Sequence, residues 1–291
     1  MKKILNHDVI AEPVQMAVRR KTPIKMAEGP QIAICIPIGP KRWAEAYTCP
    51  DCEKTWETRA RMVPNFVPIH LMLAHMNLQQ PLNIGMTYLI EAGRLSAEAR
   101  QIMTMQAIGQ GAKYILYWDD DTLPPPHGLF TLHNFMERSP EVGAVSGVYT
   151  TRSDPNEPLV YKAHGAGAAW DFQMGPGATP EPILGAGAGF MLARVEAIVE
   201  CNRILEEEEG KPTPIWADEQ CVPDAEGEGK NFWGHDMRFC RVLNENGWPV
   251  YVDGRVLCGH VDAMTGQVFE VPLDSPGFRW KEEQCNTTPT S

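Results

Sequence analysis

No stretch of the 291 residues approaches the roughly 20 consecutive apolar positions of a membrane-spanning helix. The start, MKKILNHDVIAEPVQMAVRRKTP, carries polar breaks where a secretory leader needs an apolar block, so the expected location is cytoplasmic. Dense, regularly spaced cysteine is also missing. The eight cysteines are scattered, which excludes a secreted disulfide scaffold and implies that most are reduced and buried. Positive charge is in deficit: 26 Lys and Arg face 37 Asp and Glu, for a formal net charge of −11. That balance argues against gripping nucleic acid through a broad basic face, and a phosphorylated small substrate would have to be met by metal, backbone amides and a few arginines. There is no internal repeat. The chain is long enough for one large α/β domain with an ample core.

Residues 1–29 mix charge, Pro and Met without a period and read as an arm. The run Gln31 to Pro40 is short, continuously apolar and β-branched, as in a strand buried on both faces of a parallel sheet. A polar insertion over 41–64 contains Cys49 and Cys52. Helical spacing follows from Val67 to Gln80, and Pro81 to Tyr88 is expected as a second strand. Ser96 to Gly109 predicts a helix capped by Ser96, with Ile102, Met105, Ala107 and Ile108 on its apolar side. Then come an apolar strand, Tyr114 to Trp118, a helix from Leu129 to Glu137 and a small-residue strand, Val142 to Tyr149. This alternation predicts a doubly wound α/β sheet, whose ligands bind at the carboxyl ends of the strands. Farther on, Ile183 to Leu192 reads as a glycine-rich strand, Arg194 to Glu207 and His235 to Asn246 as helices, and Val250 to Val252 as a returning strand. The expected domain spans 30–265, with a polar tail over 266–291.

Asp119, Asp120 and Asp121 close the strand Tyr114 to Trp118 and precede Thr122-Leu123 and three prolines. Carboxylates crowded at the open end of a buried strand repel one another, and a divalent cation with its phosphate ligand relieves that repulsion. An acidic turn in water is the plain alternative.

In order along the chain, YILYWDDDTLPPP (114–126), VSGVYTTRSDPNEP (145–158), GAGAGFMLARVEAI (185–198), FWGHDMRFCRVLNENGWPVYVD (232–253) and Cys258-Gly259-His260 resemble the nucleotide-sugar-dependent glycosyltransferases of the GT-A fold, closest to their large inverting family 2. The resemblance covers roughly residues 31–262 and implies a Rossmann-like, mixed, mainly parallel central sheet flanked by helices. It implies a nucleoside-diphosphate sugar as donor, Mn²⁺ or Mg²⁺ as cofactor, and an acceptor hydroxyl on a carbohydrate, lipid-linked, protein or modified nucleic acid partner.

Within that resemblance the roles follow physical lines. Asp121, outermost of the triplet, is the expected direct metal ligand, with His260 completing the site and tilting the choice toward Mn²⁺. Asp119 either joins the metal or, with Asp120, orients the nucleotide. Asp236, after Gly234 at a helix start, takes the place of the base, kept ionised by the helix dipole. His235 departs from the Glu-Asp pair of many relatives and stands as a possible sharer of that role. Asp218 and Glu219 are reserve candidates. Arg100 lies in a segment similar to an Ala-Arg-Asn stretch near the nucleotide, with Gln101 in place of the Asn. It either pairs with the diphosphate, stacks on the base or faces solvent, and Arg152 is the other arginine in reach. Pro37 and Ile38 are expected to contact the nucleobase. Trp170, Trp216 and Trp233 either stack on a sugar or belong to the core.

Two other readings stay open. A nucleotidyltransferase shares this kind of sheet and acidic site, but usually has a Gly-rich basic loop where this chain has Gly39-Pro40-Lys41-Arg42. Cys49 and Cys52 form half a zinc knuckle, which with His70 and His75 would organise an interaction module instead.

Overall fold

The computed structural model describes residues 29–38, 69–163, 167–217, 234–262 and 265–272 in full, and the backbone of short strands within 42–62 and 219–233. Cys49, Cys52 and Asp218 lie outside the described residues, as do the side chains of Glu219 and Trp233.

The chain opens with β1 (Ile32–Ile38), the short strands β2 (Arg42–Trp43), β3 (Ala46–Thr48), β4 (Thr55–Glu57) and β5 (Arg61–Met62), then α1 (Ile69–Asn77) and β6 (Met86–Ala92). Next come α2 (Ser96–Gly109), β7 (Tyr114–Trp118), β8 (Thr122–Leu123), α3 (Gly128–Arg138) and β9 (Ala144–Val148). The second half holds β10 (Val160–Tyr161), β11 (Glu181–Ile183), β12 (Gly185–Ala186), β13 (Phe190–Arg194) and α4 (Val195–Glu209). It continues with β14 (Glu219–Pro223), β15 (Lys230–Trp233), α5 (His235–Glu245), β16 (Val250–Leu257), β17 (Gly259–Val261) and β18 (Val268–Phe269).

Seven strands form the central sheet in the order β11-β16-β9-β13-β7-β1-β6. β6, β1, β7, β9 and β16 share one direction, while β13 and β11 run against their neighbours. The protein is thus mixed α/β, with a mostly parallel sheet between helices. β1 is buried along its whole length because helices cover both faces. Ile32, Ile34, Ile36 and Ile38 pack with Leu71, Leu116 and Trp118 on one side. Ala33 and Cys35 pack with Met103, Ala107 and Tyr117 on the other. Such continuous apolar strands are what two-sided burial demands.

The sequence expectations hold for the positions of β1, β7, α2, α4 and α5 to within a few residues, and differ in five respects. The second strand starts at Met86 because Asn83, at φ 60°, turns the chain first. Ser96 is inside α2, whose N-cap is Leu95 without a side-chain cap bond. The buried side of α2 is Ala99, Arg100, Met103, Thr104 and Ala107, while Met105 is exposed. The glycine-rich strand is three pieces, since the chain leaves the central sheet after β11, pairs β12 with β10, and returns to the sheet as β13. Packing also continues past residue 265: β18 pairs with β17, and Val271 is buried.

Candidate functional site

The parallel strands bring their carboxyl ends to one edge of the sheet, and antiparallel β13 brings its amino end to the same edge. β7 hands over to the three aspartates there, in a turn closed by the Asp119 carbonyl accepting from the Thr122 amide and the Trp118 indole donating to the Thr122 carbonyl. β8 then pairs with β17, setting His260 opposite Thr122, and the Val261 amide donates to the Asp121 carbonyl. That register, formed by segments about 140 residues apart in sequence, places His260 beside Asp121.

His260 is buried, and its Nδ1 lies 2.7 Å from the Thr150 carbonyl. A carbonyl only accepts, so Nδ1 carries the hydrogen and Nε2 is turned to Asp121 Oδ2, 3.5 Å away. Either a proton on Nε2 or a cation held by both groups makes that approach favourable. Arg152, largely exposed, donates to the same Oδ2 at 2.9 Å and to the Val261 carbonyl. Burial favours the neutral form of Asp121, but the hydrogen bond and charge of His260, with the charge of Arg152, hold its pKa below the usual carboxylate range.

A second cluster forms around Arg100, which is 2% exposed. Its Nη2 donates to both oxygens of Asp119, at 2.6 and 2.8 Å, and its Nη1 donates to Asp236 Oδ1 at 2.5 Å. Nη1 also lies 2.6 Å from His235 Nε2. The same Nε2 lies 3.0 Å from Asp236 Oδ1, so its lone pair serves the guanidinium in one tautomer and its proton serves the carboxylate in the other. Asp236 sits in the first turn of α5, and its Oδ2 accepts from the Ala188 amide at 3.2 Å. Burial opposes the charge of Arg100, but Asp119 and Asp236 outweigh it and push its pKa up. For Asp236, burial is overcome by the Arg100 charge and by His235, and its pKa falls to about 2. For Asp119, burial outweighs the Arg100 charge, and Asp121 and Asp236 add to it, pushing its pKa up to about 6. One guanidinium thus serves two carboxylates, and the more crowded of them holds its proton more tightly.

Between the two clusters lie Tyr149 and the loop Gly187-Ala188-Gly189. A Cβ on Gly187 would meet the Tyr149 hydroxyl oxygen at 2.1 Å, and one on Gly189 would meet Thr122 Oγ1 and Tyr149 Cζ at 2.7 Å. Close backbone approach explains the glycines of GAGAGF. The Tyr149 hydroxyl accepts from the Gly189 amide, and the ring lies edge-on to His260 at 5.3 Å. Burial, with the charges of Asp236 and Asp119, pushes the Tyr149 pKa well up, so it remains a neutral donor.

The structure brings Asp119, Asp121, Asp236, His260, Arg100 and Arg152 to one edge, with Asp120 half-buried in the same turn. Pro37 and Ile38 end β1 at that edge, but successive strand residues face opposite sides. Ile38 lines an apolar cavity under α1 with Leu71, His75 and Tyr88, and its carbonyl accepts from the Gly93 amide. Arg100 faces neither solvent nor an open groove, and Trp216, 2% exposed, is no platform for a sugar. Trp170 is half-buried against the core. His75 packs its ring between Tyr88 and Trp118. Tyr149 was missed by the sequence reading; an aromatic ending a strand that leads into the Arg/Pro turn was the only signal.

Among the described residues no three His, Cys, Asp or Glu side chains are gathered to hold a metal ion. Asp121 and His260 are the two that lie together. A carboxylate oxygen and an imidazole nitrogen 3.5 Å apart suit neighbouring ligands of one ion, which at about 2.1 Å each lie about 3 Å apart at a right angle. Asp119, Asp120, Asp121 and Asp236 against Arg100 and Arg152 leave a formal charge of −2, the balance a divalent cation offsets.

No protein-family model and no curated protein matches this chain. One similar solved structure is the crystal structure of A197 from STIV, at 14% identity and a TM-score of 0.46, covering 83% of this chain and 94% of that one. A likeness at that level carries nothing about activity.

Proposed function

We propose that the protein is a metal-dependent glycosyltransferase that moves a sugar from a nucleoside-diphosphate sugar to an acceptor hydroxyl, with inversion. The observation that carries this reading is the juxtaposition, at one sheet edge, of the Asp121–His260 pair with its exposed Arg152 and the Asp236 carboxylate beyond the glycine loop. Asp121 and His260 would hold Mn²⁺ or Mg²⁺, with donor oxygens or water completing its shell, and the ion would supply charge stabilisation to the departing diphosphate.

The remaining chemistry belongs to the chain. Arg152 is the arginine in reach of a diphosphate, since Arg100 is enclosed by Asp119, Asp236 and Trp216. Asp119, held by Arg100, orients the donor. The acceptor oxygen bonds to the anomeric carbon as the carbon–phosphate-oxygen bond breaks. The diphosphate leaves with that electron pair, and the acceptor proton passes to Asp236. Oδ1 is taken by Arg100, so Oδ2, which accepts from the Ala188 amide, is the oxygen of Asp236 that would take it. With a pKa of about 2 the carboxylate is ionised at neutral pH but is a weak base, so it would receive the proton late, as the acceptor oxygen becomes acidic on bonding.

The test is thermal shift and calorimetry with Mn²⁺ and a panel of nucleoside-diphosphate sugars, with nucleoside triphosphates as the contrasting arm. Mn²⁺-dependent binding of at least one sugar nucleotide, weakened at least about tenfold in Asp121→Ala, supports the metal pair. Hydrolysis or transfer that survives Asp121→Ala unchanged sinks the metal assignment, and normal transfer by Asp236→Asn sinks the base.

A further inference from the structure

Arg100 bonds to both Asp119 and Asp236, yet its own anchorage is uneven. Both Nη atoms are engaged, whereas Nε is buried without a hydrogen-bond partner. The Trp216 indole lies against the same guanidinium, with the Arg100 Cζ over the ring at 5.2 Å from its centroid. A cation over an aromatic face is attracted to it, more strongly where water is excluded.

The indole is itself held from three directions. Its other face stacks on Phe239 of α5 at 4.2 Å, with an angle of 7° between the planes. Its single N–H is shared between Thr104 Oγ1 of α2 and the Tyr117 hydroxyl of β7, each at 3.2 Å. Thr104 and Tyr117 are bonded to each other at 2.7 Å, and Thr104 lies at the same distance from the Arg100 carbonyl. These three elements carry the site: Arg100 is one turn before Thr104, Asp119 two residues after Tyr117, and Asp236 three residues before Phe239.

We infer that Trp216 is a positioning residue: its indole fixes the Arg100 guanidinium and thereby the placement of Asp119 relative to Asp236. The names donor-side and acceptor-side for those carboxylates rest on the proposed transfer, but the positioning itself does not. Trp216→Leu removes the aromatic face, while Trp216→Phe keeps a smaller aromatic face for Arg100 and Phe239 and loses the N–H and the second ring.

The first readout is hydrogen exchange at the Arg100 Nε–H, followed by NMR on arginine-labelled, ligand-free protein, with the resonance assigned by its loss in Arg100→Lys. In the wild type the buried Nε–H is expected to exchange slowly. The expected result is exchange accelerated at least tenfold in Trp216→Leu and close to wild type in Trp216→Phe. Unchanged exchange in Trp216→Leu overturns the inference, as does equal acceleration in both variants. Should Trp216→Leu fail to fold by circular dichroism, Phe239→Leu removes the ring behind the indole and carries the same two outcomes.

The second readout uses whichever sugar nucleotide the panel identifies: Trp216→Leu is expected to lower kcat at least tenfold with the donor KM within about twofold. A raised KM with unchanged kcat contradicts positioning of the reacting groups. Slow, Trp216-dependent exchange in a protein that transfers no sugar would overturn the proposed function and leave the positioning standing.

Discussion

Replacing Arg100 with Met keeps the unbranched apolar stem of the side chain and removes the guanidinium charge that bridges Asp119 and Asp236. Breaking a buried ion pair by deleting one partner costs about 3–5 kcal/mol, because the remaining charge is left without compensation. Here two carboxylates are stranded, but they keep 23% and 25% of their side-chain surface in contact with solvent, so water takes over part of the load. A loss of about 2–4 kcal/mol at pH 7.5 is the expected result. In urea, with a slope near 3 kcal/mol/M for a domain of this size, the midpoint falls by about 1 M. The pH dependence has a definite sign. In the wild type Asp236, held at about 2, contributes stability that is present above its unfolded value and is lost only as pH falls through 2. Without Arg100 its pKa rises, with that of Asp119, and protonation near pH 5 relieves the stranded charges. The gap between wild type and Arg100→Met therefore narrows from pH 7.5 to pH 5, measured with chelator present. A gap below about 0.5 kcal/mol, the range of an ordinary surface change, or one that is the same at both pH values, would refute the reasoning.

Asp119 predicts the opposite pH trend. Its folded pKa, about 6, lies above the unfolded value, so its contribution is full below the unfolded pKa and is lost as pH rises through 6. Chelated wild-type protein should gain stability relative to Asp119→Asn on going from pH 7 to pH 4, by no more than about 1.4 kcal/mol per pH unit; parallel curves in urea titrations would contradict this. Gly187→Ala should cost about 1–3 kcal/mol through the clash with the Tyr149 hydroxyl. Tyr149→Phe in the same chain should recover part of that loss, and a double-mutant cycle without coupling would count against the contact.

Much of the scaffold was legible in the sequence because it is written in local patterns. The apolar run Ile32 to Ile38 and the run before the aspartates read as buried strands, and both are. Gly234 before His235-Asp236 marked a helix start, which α5 has. The late histidine was placed by its order after a returning strand, and β17 carries it to Asp121. The apolar side of α2 was misread, because periodicity finds the face with the most apolar residues. Arg100 and Thr104 lie on the buried face instead, where their partners come from other elements.

Local order and chemistry in the chain by themselves determined that a strand would end in three carboxylates, that a glycine-rich segment would follow, and that an acidic residue would open a late helix. Tertiary structure decided which of these groups share charge. Asp119 and Asp236 are 117 positions apart, so no local pattern records that both hang on Arg100, or that Trp216 stands behind it. Burying a guanidinium is unfavourable unless its partners arrive with it, and that compensation exists only once α2, β7 and α5 have packed together.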